Sequence, residues 1–475
     1  MLKLFNTLTK EKQKFIPLKN NKVKMYTCGP TIYDFAHIGN MSSYLFADVL
    51  KRYLRFCGYK VKDVMNLTDV DDKTIKATQI AGEELRDFTK KFELALYEDF
   101  NALNIEKPKK VVRATNYIQE MISLIKKLEK LGYAYQTSDK SVYFRISKFE
   151  NYGQLANLEK QQLKTDADGR TNSDEYDKEN AQDFALWKAW DKADGNIKWD
   201  SPWGPGRPGW HIECSAMIMK LLGEQIDIHT GGEDLIFPHH QNEIAQTEAV
   251  TGKQFVQFWL HRAFLKVDGK KMSKSIGNFY TLQDILQKVP NPLAFRFLII
   301  TNHYKQPLNF TIESLESANS SLNKIHNFIN RLKNLSEDQI DNDENLNLIQ
   351  EQTDKAYQTF SESMDDDLNT PKAIAGLFEF ITMINRFIDE KRVGKYSKKQ
   401  LLKFLTYLDS VWGFIFFDKQ LEVNIAEQIE QLILKRNIFR QEKNYQEADK
   451  VRSELLELGV EIKDEGDKTT WTYLK

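Results

Sequence analysis

Apolar positions form short runs and helical stripes in the first three hundred residues, and helical stripes dominate after Pro307. Val23–Thr27 reads as a short strand that runs into Cys28-Gly29-Pro30. A helix is predicted from about Met41 to Cys57. Leu45, Phe46, Val49, Leu50, Tyr53 and Leu54 give it one apolar face, and Gly58 supplies the stop. Lys60–Leu67 reads as a second strand and ends in Thr68-Asp69. Strand, helix and strand make a βαβ unit, hence a parallel sheet with ligands at the carboxyl ends of its strands. Cys28, His37 and Thr68 all stand near such ends.

From Lys73 to Leu131 the pattern is mostly helical. From Gly132 to Asp200 it is mixed, with a polar loop expected at Thr165–Asn180. Trp199–Met217 is dense in Gly, Pro and Trp and passes into a helix, which suits a site better than a core. A polar run at Ser336–Asn347 reads as a loop between long helices. The last fifty or so residues carry their own helix–helix pattern, with a Gly459 stop, and suit a separate small module. The expected fold is α/β: a Rossmann-like parallel-sheet domain over 1–310 with a segment inserted at about 110–200. A helical bundle over 311–420 and a small module over 421–475 follow.

Composition narrows the setting. A chain of 475 residues is large enough for several domains, and 41% hydrophobic with 28% charged residues is ordinary for a globular protein. Net charge is −1, so any nucleic-acid contact must use local basic patches. The N-terminus is too polar for a signal peptide, and no apolar run reaches membrane-spanning length. Three cysteines, Cys28, Cys57 and Cys214, argue against a disulfide framework and for a reducing, cytoplasmic setting.

Two short motifs carry the chemistry. His37-Ile38-Gly39-Asn40 precedes the first helix, where free backbone N–H groups favour phosphate. Lys271-Met272-Ser273-Lys274-Ser275 lies between Gly269 and Gly277, a basic loop hinged to close over a triphosphate. In this order they resemble the HIGH and KMSKS signatures of class I aminoacyl-tRNA synthetases. Such enzymes activate an amino acid with ATP and load it onto tRNA. The transition state spreads negative charge over phosphate oxygens, so donors and cations do most of the work. The resemblance assigns His37, Asn40, Lys271 and Lys274 to catalysis, and Gly39, Gly232, Asp234 and Lys274 to ATP. Asn40 replaces the second histidine of the signature; it keeps hydrogen-bond donors but cannot become cationic.

Cys28, Cys214, His239 and Glu243 are all acceptable zinc ligands, and His239 and Glu243 share a helix face at i and i+4. The spacing is neither finger nor ribbon. It also accommodates a buried Cys214, a phosphate-side His239 and a solvated Glu243. The longer motifs CGPTIYDFAHIGN, NLTDVDDK, SPWGPGRPGWHIECSAM, DLIFPHHQNEIAQ and KMSKSIGN together resemble the cysteinyl-tRNA synthetases, over effectively the whole chain. That resemblance implies one zinc held by Cys28, Cys214, His239 and Glu243, with the thiolate of the substrate L-cysteine bound to it directly. His240 is the rival ligand by proximity. Serine is a near-isostere of cysteine, and a simple pocket separates such pairs by only about 10²-fold. A soft metal separates thiolate from alcohol far better. Trp210 and His211 are expected to wall the amino-acid pocket.

The resemblance further implies tRNA(Cys) as acceptor, Mg-ATP as substrate and a monomeric chain. It assigns Arg440, Asp449 and Asp464 to anticodon reading, which needs polar contacts to unpaired bases. Asn369-Thr370 reads as a cap of the following helix, with Pro371 at its first position. Two other readings stay open. One is a cysteine ligase acting on a small amine; the other is a catalytically silent tRNA-binding paralogue, to which only Asn40 points.

Overall fold

The computed structural model describes residues 1–158, 183–272, 277–336, 341–416, 431–440, 444–457, 460–465 and 468–473, the last two segments by their backbone. Lys274 and the polar stretch at 165–180 lie outside them. The chain divides into two units, Met1–Phe414 and Ile415–Lys475.

The core of the first unit is a five-stranded sheet. In spatial order its strands are Val256–Arg262, Ile226–Gly232, Lys22–Thr27, Lys60–Leu67 and Lys110–Arg113, and every pairing is parallel. The chain enters in the middle, builds outward on one side, then returns to build on the other. This is doubly wound order. The crevice between Lys22–Thr27 and Ile226–Gly232, at their carboxyl ends, is the switch point where ligands bind. Both βαβ strands stand as expected. The helix starts earlier than predicted, at Ile38, and runs to Phe56. His37 is therefore its N-cap rather than a residue of the preceding loop.

Lys110–Arg113 was expected within the inserted segment, yet it pairs with Lys60–Leu67 as the edge of the central sheet. Its four residues, two of them charged, are too few to show an alternating pattern. The segment that follows forms an antiparallel sheet of Ala134–Gln136, Val142–Phe144, Phe184–Ala189 and Gly206–Pro208. The Gly/Pro-rich loop then delivers the chain into the helix Trp210–Leu221.

Close backbone approach fixes the start of the crevice. The Gly29 N–H donates to Asn66 Oδ1 at 2.9 Å. A Cβ at Gly29 would meet the Asn66 carbonyl oxygen at 1.7 Å, so only glycine fits there. Further on, Leu265–Val267 and Lys270–Lys271 form a hairpin whose turn, Asp268-Gly269, has φ of 50° and 75°. Asp-Gly is the residue pair such a two-residue turn favours. It sets Lys271 opposite Lys266.

Four long helices follow: Ile312–Lys333, Asp343–Asp365, Thr370–Asp389 and Lys395–Trp412. Asn369 caps the third as the sequence predicts, accepting from the Lys372 N–H at 3.2 Å, while Pro371 stands second in the helix, one place later than expected, because Thr370 is already helical. The polar run at 336–347 ends sooner than expected, because Asn342 caps a helix that opens at Asp343. Arg296 is fully buried. It donates to the Asp48 carboxylate at 2.8 Å and to the carbonyls of Leu103, Asn104 and Trp412 at 3.0, 2.9 and 2.6 Å. This one side chain ties the helix Ile38–Phe56 to the last helix of the bundle.

In the second unit a helix over 431–440 and the helix Tyr445–Glu457 pack through Ile433, Val451 and Leu455. An antiparallel hairpin, Val460–Glu465 with Lys468–Tyr473, follows the helix pair; the expected stop at Gly459 lies outside the described residues.

One buried acid gives a test of the packing. Burial, with Glu98 beside it, raises the Asp99 carboxyl to about 7, Gln283 partly opposing. The folded state thus holds a proton that the unfolded chain releases above about pH 4, and stability falls as pH rises through about 7. Asp99→Asn is expected to raise Tm at pH 8 and leave it nearly unchanged at pH 4, as thermal melts at the two pH values would read.

Candidate active site

At the switch point lies a cavity of about 490 Å3. Cys28, His37, Gly39, Asn40, Trp210, Gly232, Asp234 and Lys271 all line it. These eight residues, named from sequences more than two hundred positions apart, meet in one place.

The His37 wall is built by helix capping. His37 Nδ1 accepts the Asn40 N–H at 3.1 Å, and Asn40 Oδ1 accepts the His37 N–H at 3.1 Å. With Nδ1 accepting, the ring proton of the neutral imidazole sits on Nε2. Burial lowers His37 to about 4, so the ring is neutral near pH 7. The Ile38 N–H donates to the Tyr280 carbonyl at 2.9 Å, and the Phe279 ring meets His37 edge-on at 5.3 Å. The segment after the basic loop is thereby held against the start of the helix. Gly39 permits this closeness: a Cβ there would lie 2.8 Å from the Met272 methyl and 2.9 Å from the His37 ring.

Behind Cys28 is a buried cluster. Cys28 Sγ lies 3.7 Å from Cys214 Sγ and 3.8 Å from Glu243 Oε1. His239 Nε2 lies 3.2 Å from that same oxygen. The four ligand atoms are mutually within 4.8 Å and could hold a metal ion. The i, i+4 relation of His239 and Glu243 produces their contact, although the regular helix begins only at Gln241. Cys214 comes from the middle of Trp210–Leu221, and Cys28 from the turn after the first central strand.

Charge is complementary within the cluster. Burial pushes the Cys214 thiol up, but hydrogen bonding with Cys28 and His239 brings it down to about 6 against Glu243. Burial likewise opposes ionisation of Glu243, yet His229 and His239 hold it at about 2. His239 is raised to about 10 by Cys214 and Glu243 despite its burial. Burial and the neighbouring Cys214 raise Cys28 well above the usual thiol range, so a metal arriving there must displace its proton.

A second set overlaps the first: Cys28, His229, His240 and Glu243. Cys28 Sγ to His240 Nε2 is 3.3 Å, and His229 Nε2 to Glu243 Oε2 is 3.0 Å. Outer partners separate the two. A ligating histidine normally engages its other nitrogen. His239 Nδ1 meets His211 Nδ1 at 3.2 Å, whereas His229 Nδ1 is buried with no hydrogen-bond partner among the described residues. His240 Nδ1 is bound to His261 Nε2 at 2.8 Å, and His261 Nδ1 to Thr7 Oγ1 at 2.8 Å. Sequence reasoning missed His229 and His261: each sits inside a strand, His229 two residues before the Gly231–Leu235 motif, where nothing in the sequence says which way its ring turns.

The two expected pocket residues part company. Trp210 lines the cavity and stacks on His239, ring centroids 4.3 Å apart. His211 is fully buried behind His239 and does not line the cavity. In the second unit, Arg440 ends the helix over 431–440 and Asp449 lies in Tyr445–Glu457, both exposed. Asp464 has only its backbone described, paired with Thr469 in the hairpin.

Known protein families match the chain in three parts. Residues 14–320 match the class I (C) catalytic domain of tRNA synthetases, residues 359–417 the DALR domain, and residues 423–471 the cysteinyl-tRNA ligase anticodon binding domain. Solved structures share the fold. Mycobacterium tuberculosis methionyl-tRNA synthetase with methionyl-adenylate superposes with a TM-score of 0.60 at 14% identity, over 82% of this chain and 88% of that one. The LeuRS of Agrobacterium radiobacter K84, in a ternary complex with tRNA and LeuAMS, gives 0.60 at 10%, over 85% and 86%. The catalytic unit is thus that of a class I aminoacyl-tRNA synthetase. Among curated relatives, the cysteine–tRNA ligase of Brachyspira hyodysenteriae is 47% identical over 98% of both chains. That of Chlamydia felis is 46% identical over 98% of this chain and 96% of its own. The chain belongs to the cysteine–tRNA ligase family.

Proposed function

We propose that the switch-point cavity makes cysteinyl-adenylate from L-cysteine and Mg-ATP, and that cysteine then passes to the 3′ end of tRNA(Cys). The chain is a ligase of the class I synthetases, specific for cysteine. The observation that carries the assignment of residues is the convergence of both signature motifs and Cys28 on one cavity.

His37 Nε2–H and the Asn40 amide are donors for the phosphates, and Lys271 is their cation. Asn40 Oδ1 is committed to the His37 backbone, which leaves its NH2 group for the substrate. A neutral histidine and a neutral asparagine both donate without charge, so this substitution preserves the donor. Lys274 completes the basic loop. Gly39, Gly232 and Asp234 border the adenosine side; a Cβ on Gly232 would meet Asp234 Oδ1 at 2.3 Å.

Cys28, Cys214, His239 and Glu243 hold zinc. Tetrahedral zinc with bonds of about 2.0–2.3 Å places ligand atoms roughly 3.3–3.8 Å apart. The separations of 3.7, 3.8 and 3.2 Å support that fit. When bound, zinc supplies a soft Lewis acid that prefers thiolate to alcohol. Trp210 walls the amino-acid side, and His211 orients His239 from behind.

Residues 1–310 activate, 311–420 support the tRNA and 421–475 read the anticodon through Arg440, Asp449 and Asp464. The enzyme works as a cytoplasmic monomer. Among the described residues no helix is long and apolar enough to cross a membrane.

ATP–pyrophosphate exchange tests the reading. Exchange is expected with cysteine and to fall by more than about 10²-fold with serine, beyond what a shape-based pocket achieves. A folded, zinc-loaded protein without cysteine-dependent exchange would leave the silent tRNA-binding paralogue. Exchange without tRNA charging would favour the ligase acting on a small amine.

A further inference from the structure

The opposite edge of the central sheet holds a second cavity, of about 740 Å3, at the amino ends of Lys22–Thr27 and Lys60–Leu67. Six lysines border it: Lys19, Lys22, Lys24, Lys60, Lys62 and Lys109. Strand register makes the crowding specific. Lys22 lies directly opposite Lys60, and Lys24 opposite Lys62. Like charges facing each other across a strand pair cost stability.

Two acids, Glu224 and Asp227, share the lining with them and neutralise them only in part. Among the described residues none of the six forms an ion pair. Lys24 Nζ donates to the Gln225 carbonyl at 3.2 Å and Lys62 Nζ to that of Leu221 at 2.7 Å. Neither adjacent acid forms an ion pair with the six. Glu224 pairs with Lys253 at 2.5 Å, and Asp227 accepts the Leu18 and Lys24 backbone N–H groups at 2.6 and 2.7 Å. Burial, with Lys19 and Lys62 nearby, lowers Lys24, and Asp227 offsets this only in part. A chain of net charge −1 therefore gathers a positive excess, six lysines against two acids, at one concave place. Leu18, 44% exposed, gives the rim an apolar side.

We propose that this cavity binds a nucleoside polyphosphate, its phosphates on the Lys22–Lys60 and Lys24–Lys62 pairs and its base against Leu18. Size favours a small ligand over an RNA backbone: the volume falls within the range of small-molecule sites, and all six lysines line one hollow. Bound phosphate also relieves the cross-strand repulsion, which ties occupancy to stability.

GTP is the probe, used on the full chain with the switch-point cavity filled by a non-hydrolysable cysteinyl-adenylate analogue. One GTP is expected to bind per chain. The double variant Lys22→Ala/Lys60→Ala should weaken it at least tenfold, and Lys22→Arg/Lys60→Arg should retain it. Cysteine-dependent exchange should be unchanged in both, and thermal melts report folding. No GTP bound by the blocked wild-type chain, or equal binding by the alanine variant, overturns the proposal. So does tripolyphosphate binding as tightly as GTP, which would leave the base no role. RNA binding lost in the alanine variant, without GTP binding, overturns it in favour of a nucleic-acid contact.

Discussion

Cys214→Ser is expected to empty the buried cluster of metal and to lower cysteine-dependent ATP–pyrophosphate exchange by more than about 100-fold. Loss of an outer partner of a metal ligand already costs roughly 10–100-fold, and Cys214 is proposed as a ligand itself. Serine keeps the volume but replaces the softest donor with a hard, protonated hydroxyl. Metal analysis of the purified variant should give near zero where the parent gives one zinc per chain. His240→Gln is the matching control. If Cys28, Cys214, His239 and Glu243 are the ligands, this variant keeps its metal. If the alternative set were correct, Cys214→Ser would keep its metal and His240→Gln would lose it. The four-position assignment would then fall.

His37→Ala is expected to lower kcat for exchange by about 10²–10³-fold with little change in KM, the signature of a donor used in the transition state. The same change removes the acceptor for the Asn40 N–H and costs about 1 kcal/mol of stability as a lost cap. The two effects are separable. His37→Asn keeps a capping oxygen, so Tm should recover while kcat stays low. Recovery of both would reduce His37 to a cap. A pH signature accompanies it. Burial holds the folded ring near 4, below its unfolded value of about 6.5, so the unfolded chain binds the extra proton between them. This contribution is fully present above about pH 6.5 and is lost as pH falls through 4. His37→Asn should therefore flatten that part of the stability profile.

The local elements were legible where one residue pattern decides one element. Lys60–Leu67 and the Asn369 cap follow from apolar runs and from side-chain acceptors next to free N–H groups. Where pairing partners decide, the pattern was silent. Lys110–Arg113 is a strand because Lys60–Leu67 offers it an edge, and the hairpin at Val460–Tyr473 is specified by its two halves finding each other. His37 as N-cap shows the limit of boundary reading: helix onset depends on a hydrogen bond that no periodicity records.

The chemistry divides in the same way. The sequence alone supplied the candidate donors and their family pattern: His37 and Lys271 as proposed phosphate contacts, and Cys28, Cys214, His239 and Glu243 as the proposed soft and hard ligands. These follow from residue type and motif, which are properties of the chain. Only the tertiary structure decided that Cys28 and Cys214, 186 residues apart, stand 3.7 Å from each other, and that His211 backs His239 instead of walling the cavity. It alone brought His229, His240 and His261 into contact beneath Trp259, and set Lys22 against Lys60. The reason is physical. Ligand competence belongs to a side chain. Proximity across the switch point, burial and the pKa values that follow from it arise only when parallel strands far apart in sequence are laid side by side.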